Sequence, residues 1–138
     1  MKIDRPSYKK YIRADTTIGT SLYETGQKVG IPPPIISKLI RELSAVVDFE
    51  KDIKPGNQLG LLYQCEFDQE TNERLTCNNI LYGYVIANGE KRAVYSIIHN
   101  DGKTRYYEDG KNSPDIQDDV AQRKDEIDTI YNSLSSNR

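Results

Sequence analysis

The stretch that decides the fold is LGLLYQCEF at 59–67, DQETNE at 68–73, LTCNNILYGYVIA at 75–87, NG at 88–89 and KRAVYSIIH at 91–99. Each apolar run is short, rich in β-branched and aromatic residues, and bounded by turn formers, which predicts three strands. Asn88-Gly89 predicts a two-residue hairpin turn, because both central residues of such a turn need positive φ. Residues 68–73 are the loop of the hairpin before it. Asn100-Asp101-Gly102-Lys103 predicts a further turn into a short strand at Thr104–Tyr107, which Asp109-Gly110 ends. The stretch therefore predicts an antiparallel β-meander.

Working outward, the period changes on both sides. Leu22, Tyr23, Gly26 and Val29 fall on one helical face. Thr20 or Ser21 is the N-cap, with Glu24 at capping-box spacing from Ser21. Gly30 is the C′ stop. Ile31-Pro32-Pro33-Pro34 leads into a second helix over about 33–44, with Pro in its first turn. Its apolar stripe is Ile35, Ile36, Leu39, Ile40 and Leu43. Pro55-Gly56 marks a turn before the meander. Upstream, Tyr11–Ile18 alternates weakly, as a short strand does. Downstream of Pro114, the residues Ile116, Val120, Ile127, Ile130 and Leu134 share a face of one long helix. Such a stripe is not left in water. It packs on the domain's own sheet or hairpin, or it self-associates or pairs with a partner. Arg123 interrupts it, against a long coiled coil. The fold class is α+β: a helical pair, an antiparallel β-meander and a C-terminal helix. The expected organisation is a flexible lead-in at 1–11, one domain at 12–110 and a helical tail at 111–138, frayed after Leu134.

Composition narrows the chemistry. Among 138 residues, 19 Lys and Arg face 21 Asp and Glu, a net charge of −2, so no global field draws in nucleic acid or anionic membrane. No apolar run reaches the length of a membrane span, and the first residues have no signal-peptide core. One histidine, His99, and two cysteines match no zinc spacing and no compelling catalytic triad. No cofactor is expected, and the carboxylates Asp48, Glu50 and Asp52 lack the pattern of a calcium loop.

Several features carry two readings each. Thr20–Leu43 is either a helix-turn-helix that reads nucleic acid or a structural hairpin. The offset of Lys38 and Arg41 by Glu42, and three connector prolines, favour the hairpin. Cys65 and Cys77 flank the 68–73 loop almost opposite each other, as a disulfide or as two thiols. Ten tyrosines stand against two phenylalanines and no tryptophan. Tyr82, Tyr84, Tyr95, Tyr106 and Tyr107 either line a sheet face that stacks on sugars or pack the core.

Ser21-Leu22-Tyr23-Glu24, Gly30-Ile31-Pro32-Pro33, Asp48-Phe49-Glu50-Lys51-Asp52-Ile53-Lys54-Pro55-Gly56 and Leu62-Tyr63 occur in one order and spacing. With Ile80-Leu81-Tyr82-Gly83, Arg92-Ala93-Val94-Tyr95 and Asp101 to Gly110, the region from Ile18 to Gly110 resembles one family. It is the non-catalytic domain preceding the peptidase domain in lysostaphin/LytM-type murein metalloendopeptidases, the Csd-three-like second domain near the opacity-associated, LysM-like module. The chain departs from the family at Ser44-Ala45-Val46, where Ser-Trp-Asp is usual, and at Asn57, where Asp is usual. The tail after Gly110 has no histidine for the zinc motifs of the family's catalytic domain.

The resemblance implies an accessory module, not an enzyme, that docks on peptidoglycan or on a peptidase domain in the cell envelope or periplasm, while the missing signal-peptide core leaves the cytoplasm as the alternative compartment. The alternatives are a nucleic-acid-binding domain and a remnant of a full zinc endopeptidase.

Overall fold

A computed structural model describes residues 6–134. Elements run β1 (Ser7–Thr17), α1 (Leu22–Lys28), α2 (Pro33–Leu43), β2 (Gln58–Asp68), β3 (Arg74–Ala87), β4 (Glu90–Ile98), β5 (Thr104–Tyr107) and α3 (Pro114–Ser133). The five strands form one antiparallel sheet in sequence order. The class is α+β, with α1 and α2 on one face of the sheet and α3 on the other.

The local signals act as their chemistry requires. Ser21 accepts a hydrogen bond from the Glu24 N–H, and Glu24 is held in turn by the Thr20 hydroxyl. At the other end of α1, Gly30 takes φ +85°. The N–H of Gly30 reaches Gln27 O and that of Ile31 reaches Gly26 O, the paired bonds of a Schellman ending. Asn88 and Gly89 both have positive φ, as the hairpin turn demands.

Strand alternation divides the core in two. Leu59, Leu61, Tyr63 and Cys65 of β2 join Ala14, Val85 and Val94 against Ile35, Ile36, Leu39 and Leu43 of α2. Leu62, Tyr82, Tyr84 and Tyr95 turn the other way, toward Ile127 of α3. A bulge keeps both patterns in phase: Leu62 pairs with Tyr82 and Tyr63 with Ile80, so Leu81 is the extra residue. Two glycines let the layers close. A Cβ on Gly83 would lie 2.5 Å from Leu39 Cδ1, and one on Gly60 would lie 2.1 Å from the Tyr84 ring.

The lead-in is corrected. Ser7–Tyr11 form the first part of β1, and β1 pairs with β2 along its full length. Tyr8 stacks on Phe67 at 5.6 Å, with Lys10 5.9 Å from the same ring. The segment reads as polar because it is an edge strand. Outward-facing Lys is compatible with an edge and blunts unwanted pairing there. Met1–Arg5 and the frayed end expected at 135–138 lie outside the described residues.

The tail docks on the chain's own sheet. Val120 and Ile127 are fully buried, and Ile130 and Leu134 are half-buried beside the tyrosines. Arg123, which breaks the apolar stripe, donates from Nε to Ser96 O at 2.8 Å and from a terminal nitrogen to Ser96 Oγ at 3.3 Å. The interruption in the pattern is thus a fastening point.

Candidate functional site

The structure separates the five candidate tyrosines. Tyr82, Tyr84 and Tyr95 come together, but beneath α3, with 2%, 9% and 5% exposure. Tyr106 lies on the opposite face, with Lys38 Nζ 5.9 Å from its ring, and its hydroxyl donates to Ile80 O at 2.9 Å. Tyr107 bonds the lone histidine: its hydroxyl is 2.7 Å from His99 Nε2. The five therefore do not form one open stacking face.

The buried three form a cluster with a polar edge. Tyr82 is 5.0 Å from Tyr95, 5.8 Å from Tyr84 and 5.3 Å from Tyr131 of α3, the last edge-on. The Tyr84 hydroxyl donates to Asp15 Oδ1 at 3.0 Å, and the Tyr131 hydroxyl donates to the same oxygen. Arg13 Nε donates to Asp15 Oδ2 at 2.7 Å. The same guanidinium lies 4.0 Å from the Tyr131 ring and donates to the carbonyls of Tyr131 and Leu134 at 3.2 Å. It caps the C-terminal turn of α3, where orphan carbonyls and the helix dipole favour a cation. Lys91 Nζ, 4.7 Å from the Tyr84 ring, covers the cluster from its outer side.

Burial decides the chemistry of these phenols. It lifts Tyr84 to about 12, with the Asp15 charge and hydrogen bond adding to the rise. It lifts Tyr95 to about 12, helped by Asp128, and pushes Tyr82 up further. Tyr106 is likewise raised to about 12, first by burial and then by Glu42. At neutral pH they are hydrogen-bond donors, not bases or nucleophiles. The reading of residues along the chain missed Arg13, Asp15 and Tyr131. The i, i+2 spacing of Arg13 and Asp15 on a strand was the available signal, since it puts both on one face.

Cys65 and Cys77 face each other across β2 and β3 and are joined by a disulfide, with their Cα atoms 4.1 Å apart. Among the described residues, no group of three or more His, Cys, Asp and Glu side chains is placed to hold a metal ion.

An apolar cleft of about 370 Å³ lies where two of the sequence blocks meet. Ser21, Leu22 and Tyr23 come from α1 and its cap; Phe49, Ile53, Lys54 and Pro55 come from the segment before β2. That segment is a clasp. Asp48 Oδ1 accepts from the N–H groups of Glu50 and Lys51, and Asp52 reaches back to the Asp48 N–H. The Gly56 N–H donates to Ile18 O, and the Ile18 N–H donates to Asn57 O. Asn57 Oδ1 accepts from the Lys54 N–H at 2.7 Å. A carboxylate at that position would accept the same bond, so Asn in place of Asp keeps the turn. Tyr23 stands 38% exposed at the cleft.

Two solved proteins from different organisms contain this fold. Csd3 of Helicobacter pylori matches with a TM-score of 0.61 at 16% identity, over 75% of this chain and 27% of that one. A second crystal form of Csd3 gives 0.62. A zinc-containing peptidase from Vibrio cholerae matches with 0.56 at 12% identity, over 78% of this chain and 30% of that one. The chain thus spans less than a third of each of these proteins. No protein-family model and no curated protein matches it.

Proposed function

We propose that the chain is a non-catalytic accessory module of the kind associated with LytM-type peptidoglycan metalloendopeptidases. It docks on peptidoglycan or on a peptidase domain in the cell envelope. One observation carries this reading. The blocks that resemble the endopeptidase family fold into the caps and clasp of a domain that is also a minor part of Csd3 and of a zinc-containing peptidase.

The side chains support the non-catalytic half of the reading. A metallopeptidase activates water on a metal with an open position. The aromatic cluster here holds protonated phenols engaged with Asp15 and packed under α3, an arrangement that fastens a helix. Surfaces open to docking include the cleft beside Tyr23 and the part of the sheet that α3 does not cover. The disulfide suits an oxidising compartment such as the envelope.

The test is incubation of the purified chain with sacculi or with a separately purified LytM-type peptidase domain, plus elemental analysis. The expected result is association with one of the two, no tight one-to-one zinc and no released muropeptides. Stoichiometric zinc with turnover, or association with neither, overturns the reading.

A further inference from the structure

The sheet forks. β3 pairs with β4 only from Tyr82 to Ala87, while β4 runs on to Ile98 beside β5 alone. Two side chains take the carbonyls nearest the fork: Tyr106 OH donates to Ile80 O and Arg123 Nε to Ser96 O. Beyond them, on the side that α3 leaves uncovered, is a groove of about 230 Å³.

Strand register builds its floor. Tyr11 of β1 pairs with Gln64 of β2, and Gln64 with Asn79 of β3, so a ring and two amides stand in one row. Across the fork, Ile98 and its register partner Thr104 form the far wall. Two interstrand spacings put Tyr11 about 10 Å from Asn79 along this row, longer than a single sugar ring. Both rims are apolar and open, Tyr11 at 38% and Ile98 at 68% exposure.

We infer that this groove binds a neutral glycan bearing acetamido groups, the sugar strand of peptidoglycan. The inference rests on the proposed function and names where and how peptidoglycan is held. Gln64 and Asn79 each offer a donor and an acceptor, and neither amide side chain has a hydrogen-bond partner among the described residues. No carboxylate lines the groove, and its one cation, Arg123, is engaged with Ser96. That excludes a metal ion and gives an anionic polymer nothing to neutralise it. An all-apolar ligand would strip water from two amides without replacing their bonds, which costs more than it gains. A peptide strand zipping from the fork meets carbonyls that Tyr106 and Arg123 already occupy. An acetamido sugar satisfies the amides with its own amide and lays the C–H face of its ring on Tyr11, as aromatic platforms allow.

The test titrates the tetrasaccharide of β-1,4-linked N-acetylglucosamine, cellotetraose and a free stem peptide against the whole chain, followed by NMR. Only the acetylated sugar is expected to bind, shifting the Gln64 and Asn79 side-chain amides. Tyr11→Ala and Asn79→Ala should each weaken it at least tenfold with melting unchanged, because both residues are exposed. Equal binding of cellotetraose, binding of the peptide alone, no binding of the tetrasaccharide, or no effect of both substitutions overturns the groove. Sacculus sedimentation separates the two ideas. If both variants still sediment as well as the parent, the groove is wrong and the accessory reading stands. If the parent binds the tetrasaccharide but neither sacculi nor a peptidase domain, the accessory reading fails and so does the peptidoglycan strand as occupant, leaving the groove as a site for acetamido sugars alone.

Discussion

The two faces of the sheet are held by different means. The face under α1 and α2 is aliphatic and continuous: Leu59, Leu61, Val85 and Val94 meet Ile35, Ile36, Leu39 and Leu43. The face under α3 is aromatic and polar at its edge. Val120 and Ile127 are its fully buried helix residues, and Arg13, Asp15, Tyr84 and Tyr131 tie the end of the helix down. Dispersion and burial scale with apolar area, so the first face is expected to set global stability. The second depends on a few directed bonds, so its helix is the element with more freedom to loosen. Tyrosine content alone does not separate a binding face from a fastening; what lies over the rings does.

The difference can be broken at the aliphatic face first. Leu39→Ala removes a side chain with 1% exposure that also fills the space left by Gly83. It is expected to cost about 2–5 kcal/mol, read by urea denaturation. A loss below about 1 kcal/mol would show that this face collapses easily and is not the main support.

The disulfide comes next. Cys65→Ala with Cys77→Ala opens a link of sequence separation 12. The chain-entropy model gives a cost of about 3 kcal/mol. Mass spectrometry of non-reduced protein should show a mass two units below the dithiol form. Free thiols in protein taken from an oxidising compartment would contradict the pairing.

Freeing α3 should cost less. Ile127→Asp with Ile130→Asp places charge among the tyrosines, and the loss is capped by what α3 gains on docking. The expected fall is about 2 kcal/mol, with altered tyrosine circular dichroism and a partial loss of the helical far-ultraviolet signal as the freed helix frays. Unchanged melting with lost self-association would mean that the helix serves a partner.

Titration gives the smallest effect near neutrality. Tyr84, Tyr95 and Tyr106 rise from 10.0 to about 12 on folding. A raised folded value means the unfolded chain ionises first. The contribution is therefore complete below pH 10 and is lost as pH climbs toward 12. Urea midpoints should be flat below pH 10 and fall above it, with tyrosinate absorbance lagging until unfolding. Early ionisation of these phenols with no loss of stability would show that they are not buried.

The meander and both helices of the pair were legible because their signals are local. Asn88-Gly89, Pro55-Gly56, Ser21 with Glu24, and Gly30 each fix a backbone angle or a cap within a few residues. The disposition of the tyrosines was not legible. It depends on a bulge at Leu81 and on a helix some 30 residues downstream in the chain lying across them. The first part of β1 was hidden for a related reason. Lys9 and Lys10 read as a solvated tail until Glu66 and Cys65 are placed beside them. Arg123 looked like a fault in a stripe because its partner, Ser96, is distant in sequence. The fork was invisible as well, since both of its arms are ordinary strands.

On the proposed function, docking does not use the tyrosines beneath α3. Sacculus sedimentation of the parent chain beside the Ile127→Asp, Ile130→Asp form tests this most directly. Uncovering Tyr82, Tyr84 and Tyr95 is expected to leave the sedimented fraction unchanged or lower. A clear gain in binding once the helix is freed would contradict the account, because it would make α3 a cover over the true binding face.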